Sequence, residues 1–190
     1  MIFRKYIFTL IFVSCIFGNF LNANNLQLSN ITFKDKNTIE QSVYISFDLS
    51  WDNSWRISSE SANWDAAWVF VKFRIGSGVW QHASISASSS DHIAPTGSII
   101  NAVSDAKGIF IYRSSIGSGT NNWTGVELKW NYGLDGVPDD VSDMEIKVLG
   151  IEMVYVPQAS FYVGDGSSFG RLWNVADVNT NPALISQTPI

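Results

Sequence analysis

Between residues 43 and 51 the chain alternates strictly: Val43, Ile45, Phe47, Leu49 and Trp51 fall on one side of an extended segment, and Tyr44, Ser46, Asp48 and Ser50 on the other. A two-residue period is the signature of a strand with one buried face, and it excludes an amphipathic helix there. The pattern recurs where Val126, Leu128 and Trp130 alternate with Glu127, Lys129 and Asn131, and where Met144, Ile146 and Val148 alternate with Glu145 and Lys147. Segments 26–33, 68–75, 79–85, 109–113 and 151–156 are rich in β-branched or aromatic residues, which brings the expected count to about eight strands.

Gly76-Ser77-Gly78, Ser88-Ser89-Ser90, Gly117-Ser118-Gly119 and Gly133-Leu134-Asp135-Gly136 are the expected turns between strands. No window sustains a 3.6-residue apolar period. Parallel strands need crossover segments of a dozen or more residues, so the expected fold is all-β, an antiparallel β-sandwich.

The first 23 residues stand apart from this pattern: Arg4 and Lys5 precede an apolar run over residues 6–17, and Leu21-Asn22-Ala23 offers a small residue at a cleavage position. That is signal-peptide architecture, too short to span a bilayer comfortably, and it places the mature start at Asn24. A lipoprotein cut before Cys15, preceded by Val13-Ser14, is the alternative. Either way the expected location is secreted, periplasmic or at the cell surface.

Cleavage after Ala23 removes the only cysteine, and with it any disulfide, thiolate nucleophile or cysteine metal ligand. It also leaves ten basic residues against 17 acidic ones, moving the formal charge from −5 to −7. With no basic run, neither nucleic acid nor, after cleavage, a membrane is an expected partner. The full chain, 46% hydrophobic against 15% charged, has the composition of a globular protein with a core.

The tryptophans concentrate early, five of the eight lying at positions 51, 55, 64, 68 and 80. Trp51-Asp52-Asn53-Ser54-Trp55 and Trp64-Asp65-Ala66-Ala67-Trp68 share the form W-D-x-x-W. Indole faces stack on pyranose rings while nearby carboxylates bond hydroxyls, so Trp55 and Trp64 with Asp52 and Asp65 are the candidate sugar-binding set, with polysaccharide or a cell-surface component as partner. The competing reading places Trp51 and Trp68 in the core and uses Trp55 and Trp64 as loop cover.

Residues 131–143 resemble the calcium loops of thrombospondin type 3 repeats through Asp135, Gly136, Val137, Pro138 and Asp139, which makes Asp135, Asp139 and Asp143 the candidate metal ligands. Asn131 and Gly133 stand where that pattern carries acids, and a solvated turn accounts for the same residues. Cofactors are otherwise expected to be none. His82 and His92 have no spacing that places them in one site, and Glu127, Glu145 and Glu152 are expected at solvent-facing strand positions.

From Glu152 to Gly166 the chain resembles the opening of the formylglycine-generating-enzyme (sulfatase-modifying factor) domain: Met153, Val154, Pro157, Phe161 and Gly164 match, whereas Val156, Gln158, Ala159 and Val163 depart. Residues 47–130, with "FDLSWDNSWR", "NWDAAWVFVKFR" and "VELKWNYG", resemble a β-rich region that precedes this domain in some secreted bacterial proteins. The resemblance implies three parts: a signal peptide (1–23), a β-sandwich module (24–150), and the start of an enzyme-like domain (151–190) ending in a loosely structured tail. The family's catalytic cysteines and their copper lie farther downstream, so no catalytic residue carries over and the chain is not expected to be an enzyme. Gene truncation, a split frame and an incomplete sequence all account for a stop at Ile190. The resulting expectation is a secreted accessory module that binds or spaces, with carbohydrate-binding and calcium-stabilised adhesion modules as alternatives.

Overall fold

The computed structural model describes residues 24–59, 62–155, 160–163 and 183–185. The expected signal segment, Pro157, Gly164 and most of the expected tail lie outside these residues.

Among the described residues ten strands follow one another: β1 (Gln27–Asn37), β2 (Ser42–Arg56), β3 (Trp64–Ile75), β4 (Gln81–His82), β5 (Ser98–Ala102), β6 (Ile109–Arg113), β7 (Gly117–Trp130), β8 (Met144–Tyr155), β9 (Phe161–Val163) and β10 (Ala183–Ile185). Only two short 3-10 turns, Ser89–Asp91 and Tyr132–Asp135, interrupt them among the described residues. The fold is all-β, and every pairing is antiparallel. No helix among the described residues is long and apolar enough to cross a membrane.

Strands β1 to β8 form one hydrogen-bonded sheet, and β9 and β10 form a separate pair. β2 is flanked by β1 and β7; β3 is flanked by β8 along its whole length and by β6 and β4 on its other side; β5 closes the far edge. The sheet turns between β2 and β3, which pair only at Arg56 and Trp64, and curls so that its two halves face each other. Val43, Ile45, Phe47 and Leu49 of β2 and Val126, Leu128 and Trp130 of β7 meet Val69, Val71 and Phe73 of β3 and Ile109 and Ile111 of β6 in one buried cluster. Each large side chain fully removed from water there contributes about 1.5–3 kcal/mol.

Three local features depart from the sequence expectations. Segment 79–85 contributes only the two-residue β4, while Ile85 makes an isolated bridge to Trp130. Gly117-Ser118-Gly119 is not a turn but the start of β7, pairing with Trp55 and neighbouring residues of β2. β5, which has no strict alternation, is an additional strand paired with β6.

β8 runs unbroken through Gly150, so the expected boundary at residue 150 falls inside a strand. Its residues 151–155 pair with β3 as far as the Trp64–Tyr155 partners. Gly150 sits where a Cβ would come within 3.0 Å of Leu28 Cδ1 and 3.1 Å of Leu26 Cδ2, and the adjoining Glu152 accepts a hydrogen bond from the Asn24 side chain. β1 and β8 therefore approach closely at the open side of the curled sheet.

Candidate functional site

β3 is apolar on both faces. Ala67, Val69, Val71 and Phe73 enter the core, while Trp64, Ala66, Trp68 and Phe70 occupy the alternate positions. Their partners continue this outer face: Tyr155 opposite Trp64, Met153 opposite Ala66, Ile151 and Phe110 beside Trp68, and Leu149 opposite Phe70. Tyr155, Met153, Ile151 and Leu149 remain 48%, 43%, 47% and 39% exposed, so this face is not closed by the described chain.

At one end the small Ala66 lies among bulky neighbours and leaves a recess. The resulting cleft of about 320 Å³ is lined by Trp64, Phe110, Tyr112, Met153, Val154 and Tyr155, with Ala66 and Asn101 completing it. Its volume is at the small end of the range for ligand sites, about 300–1,000 Å³. Trp64 stacks on Tyr155 with centroids 4.1 Å apart and planes 17° apart, and Tyr112 tilts against it at 5.7 Å.

Polar groups sit at the rim. Asn101 Nδ2 donates to Tyr112 Oη at 2.9 Å, which leaves the phenolic proton available to another acceptor. The Arg56 guanidinium lies 5.3 Å from the Trp64 ring centroid and 5.4 Å from that of Tyr112. Its Nη1 donates to the Arg113 carbonyl at 2.6 Å. The three ion pairs among the described residues join Lys34 to Glu127, Arg74 to Glu145 and Lys129 to Glu40, so Arg56 has no carboxylate partner there.

Of the four sugar-site candidates, only Trp64 reaches this cleft. Asp65 is fully buried and accepts hydrogen bonds from Trp51 Nε1 at 2.6 Å, Ser54 Oγ at 2.8 Å and the Trp55 N–H at 3.0 Å. Trp55 is half-buried, and its indole N–H donates to Asn63 Oδ1 at 2.7 Å. Asp52 accepts from Thr120 Oγ1 at 2.9 Å. The sequence reading missed Tyr112, Tyr155 and Arg56; the available signal was the pair of bulky residues flanking Ala66 on the face of β3 opposite the core.

The three calcium candidates have separate structural roles. Asp135 accepts from the Ser84 N–H at 2.7 Å, Ser84 Oγ at 2.6 Å and Trp130 Nε1 at 2.7 Å. Asp139 accepts from Tyr132 Oη at 2.6 Å, and burial followed by this hydrogen bond pushes the phenol up to about 12. Asp143 lies near Gly76, whose N–H donates to its backbone carbonyl at 3.0 Å. No group of three or more His, Cys, Asp or Glu side chains among the described residues is arranged to hold a metal ion.

A second cavity, of about 380 Å³, opens between Phe33–Lys36 of β1 and the β7–β8 connection. Lys36 crosses its wall, donating to the Asp139 carbonyl and lying 5.3 Å from the Tyr132 ring centroid. Both histidines are held below the ordinary imidazole range mainly by burial. His92 has neither ring nitrogen free, since one meets the Ser86 carbonyl at 2.9 Å and the other accepts the Lys129 N–H at 3.2 Å.

The class defined by these observations is an all-β, antiparallel protein with an aromatic cleft on the outer face of its curled sheet. Comparison with known proteins adds no family: the chain matches no family model, no curated protein and no solved structure.

Proposed function

We propose that this chain is an exported, non-catalytic β-sandwich module serving a formylglycine-generating-enzyme-like protein by binding or spacing. The observation that carries the reading is the position of Met153 and Val154, two of the family-like residues. They belong to the final stretch of β8, paired to β3, and line the aromatic cleft. A strand that holds family-like residues in the module's own sheet suits spacing as well as binding.

The test uses the secreted mature chain, residues 24–190, incubated with a cysteine-containing sulfatase peptide and read by peptide mass. The expected result is an unmodified peptide. Formylglycine formation would overturn the non-catalytic reading, and so would a reading frame that runs on past the Ile190 codon into a segment carrying the family's cysteines.

A second reading, carbohydrate recognition, is favoured by one specific observation: the Trp64–Tyr155 stack and Tyr112 form an aromatic wall around a recess with polar groups at its rim. Pyranoses match this combination because one ring face carries C–H bonds while the periphery carries hydroxyls.

A further inference from the structure

We infer that the Trp64–Tyr112–Tyr155 cleft binds an acidic oligosaccharide, with a uronate carboxylate held by Arg56; this rests on the carbohydrate reading of the same cleft. The sugar's apolar face meets Tyr155 and the neighbouring aromatic wall. The carboxylate meets the guanidinium fork at the rim.

The strand register places one row of side chains across β2, β3 and β8. Arg56 pairs with Trp64, and Trp64 pairs with Tyr155. Their side chains project from the same side of the sheet, because directly opposed residues of antiparallel strands share a face. A cation is therefore placed beside the stacked rings, and its distances of 5.3 and 5.4 Å from the Trp64 and Tyr112 centroids show it resting against both. Contact with the rings restricts the orientation of the planar guanidinium, which reduces the entropy lost when it grips a planar carboxylate.

Arg56 also retains binding capacity. A guanidinium carries five N–H donors, and among the described residues the Arg56 side chain makes one hydrogen bond, to the Arg113 carbonyl. Arg113 provides the contrast: its Nε donates to Ser54 Oγ at 3.1 Å, and its Nη2 to the carbonyls of Gly119 at 2.7 Å and Thr120 at 3.3 Å. Ser54 in turn donates to buried Asp65, so Arg113 belongs to a structural network while Arg56, among the described residues, has no carboxylate partner.

Charge complementarity selects the ligand. The chain is acidic, with a formal charge of −5, yet the cation touching this cleft is unneutralised among the described residues. An apolar wall alone recognises neutral sugars equally well; the free fork adds preference for a carboxylate through charge-assisted, bidentate hydrogen bonding. A carboxylate presents two coplanar oxygens to the restrained guanidinium, the geometry of a bidentate pair. Asn101 and the Tyr112 hydroxyl remain at the same rim for sugar hydroxyls.

Tryptophan fluorescence of the mature chain, titrated with tetragalacturonate and tetramannuronate and with the methyl ester of each, tests the inference. The esters keep the pyranose rings and remove the charge. At least one acid should bind tenfold or more tightly than its ester, and the gap should shrink at high salt. Arg56→Gln should reduce the acid's affinity to that of the ester without changing the ester's own affinity. Tyr155→Ala should weaken both ligands while keeping a cooperative melt, a control that does not depend on how well the Arg56 variant folds. Equal binding of acid and ester overturns the acidic-sugar inference while preserving carbohydrate recognition; binding of none of the four overturns both.

Discussion

Trp51 Nε1 donates to Asp65 Oδ2 across 2.6 Å in the buried interior. The tryptophan opening the first W-D-x-x-W segment is thus held by the aspartate of the second, across the turn of the sheet between β2 and β3. The two aspartates have different fates: Asp65 accepts from three donors, two of them fully buried, whereas Asp52 bonds Thr120 Oγ1 near the surface. The shared spelling marks two sides of one junction, not two equivalent sites.

Asp65→Ala should therefore cost about 3 kcal/mol or more, because it strands several buried donors at about 1–3 kcal/mol each. Asp65→Asn retains an acceptor and should lose less. Urea denaturation of the two variants checks this, and an unchanged midpoint for the alanine variant would contradict the buried role of the carboxylate.

The carboxylate of Asp135 is committed to Ser84 and Trp130. Asp135→Asn should destabilise the fold by about 1–2 kcal/mol through these hydrogen bonds, by the same amount in calcium and in chelator. Parallel thermal melts provide the comparison. A wild-type melting temperature that drops on chelation would instead identify a cation bound to the folded state.

His92 supplies a pH dependence of definite sign. Because the Lys129 N–H donates to Nδ1, the neutral ring carries its proton on Nε2, facing the Ser86 carbonyl. Burial depresses the folded-state affinity for a second proton below the ordinary value of 6.5. Above that value both folded and unfolded rings are neutral and this group adds no slope. As pH falls through it, the unfolded ring takes up a proton first and folding loses stability until the folded ring also titrates. His82 is shifted in the same direction, chiefly by burial and then by Lys72 and Lys107. Melting temperature should drop between about pH 7 and pH 5, and His92→Gln should flatten part of that decline. A variant profile parallel to the wild type would exclude the histidine as its source.

Gly108 is required by space, not by an unusual backbone angle. A Cβ there would stand 2.4 Å from Trp68 Nε1 and 2.9 Å from the Val69 carbonyl oxygen. Gly108→Ala should cost about 1–3 kcal/mol as the outer sheet shifts. Gly136 offers the reverse case, with φ +69° and nothing within 4 Å of an added Cβ; its alanine variant should lose about 1–2 kcal/mol from backbone strain alone. Denaturation midpoints, with near-ultraviolet circular dichroism to follow Trp68, separate the two: only Gly108→Ala should alter the aromatic signal.

Strand character was legible wherever alternation faced a single core. Val43 to Trp51 and Val126 to Trp130 were read correctly because each inward position meets the same buried layer. β5 was not legible, since its five residues acquire their strand geometry from pairing with β6. The start of β7 was hidden by its glycines, which suggest a turn until β2 supplies a ladder. Bulges interrupt β2 as well: the register with β7 shifts between Trp51 and Ser54, where Asn53 adopts φ 57°, and both flanking side chains are buried. No simple period predicts that.

For the candidate site, the sequence located one participant, Trp64, and assigned it partners that the fold uses for other purposes. Asp65 is its immediate neighbour, but successive strand residues point to opposite faces, so the carboxylate went to the core and the indole to the outer surface. Tyr112 and Tyr155 come from 48 and 91 residues farther along the chain. Nothing local joins them to Trp64.

By itself the sequence determined that this chain is built from antiparallel strands and which residues of the clearest ones face inward, because side-chain alternation is imposed by each strand's own backbone. Tertiary structure alone decided that β8 would border β3 through Gly150, that Asp65 would anchor a buried indole, and that Arg56, Trp64 and Tyr155 would share one row. Those outcomes depend on strand register, a relation between distant segments set by how the whole sheet curls around its core.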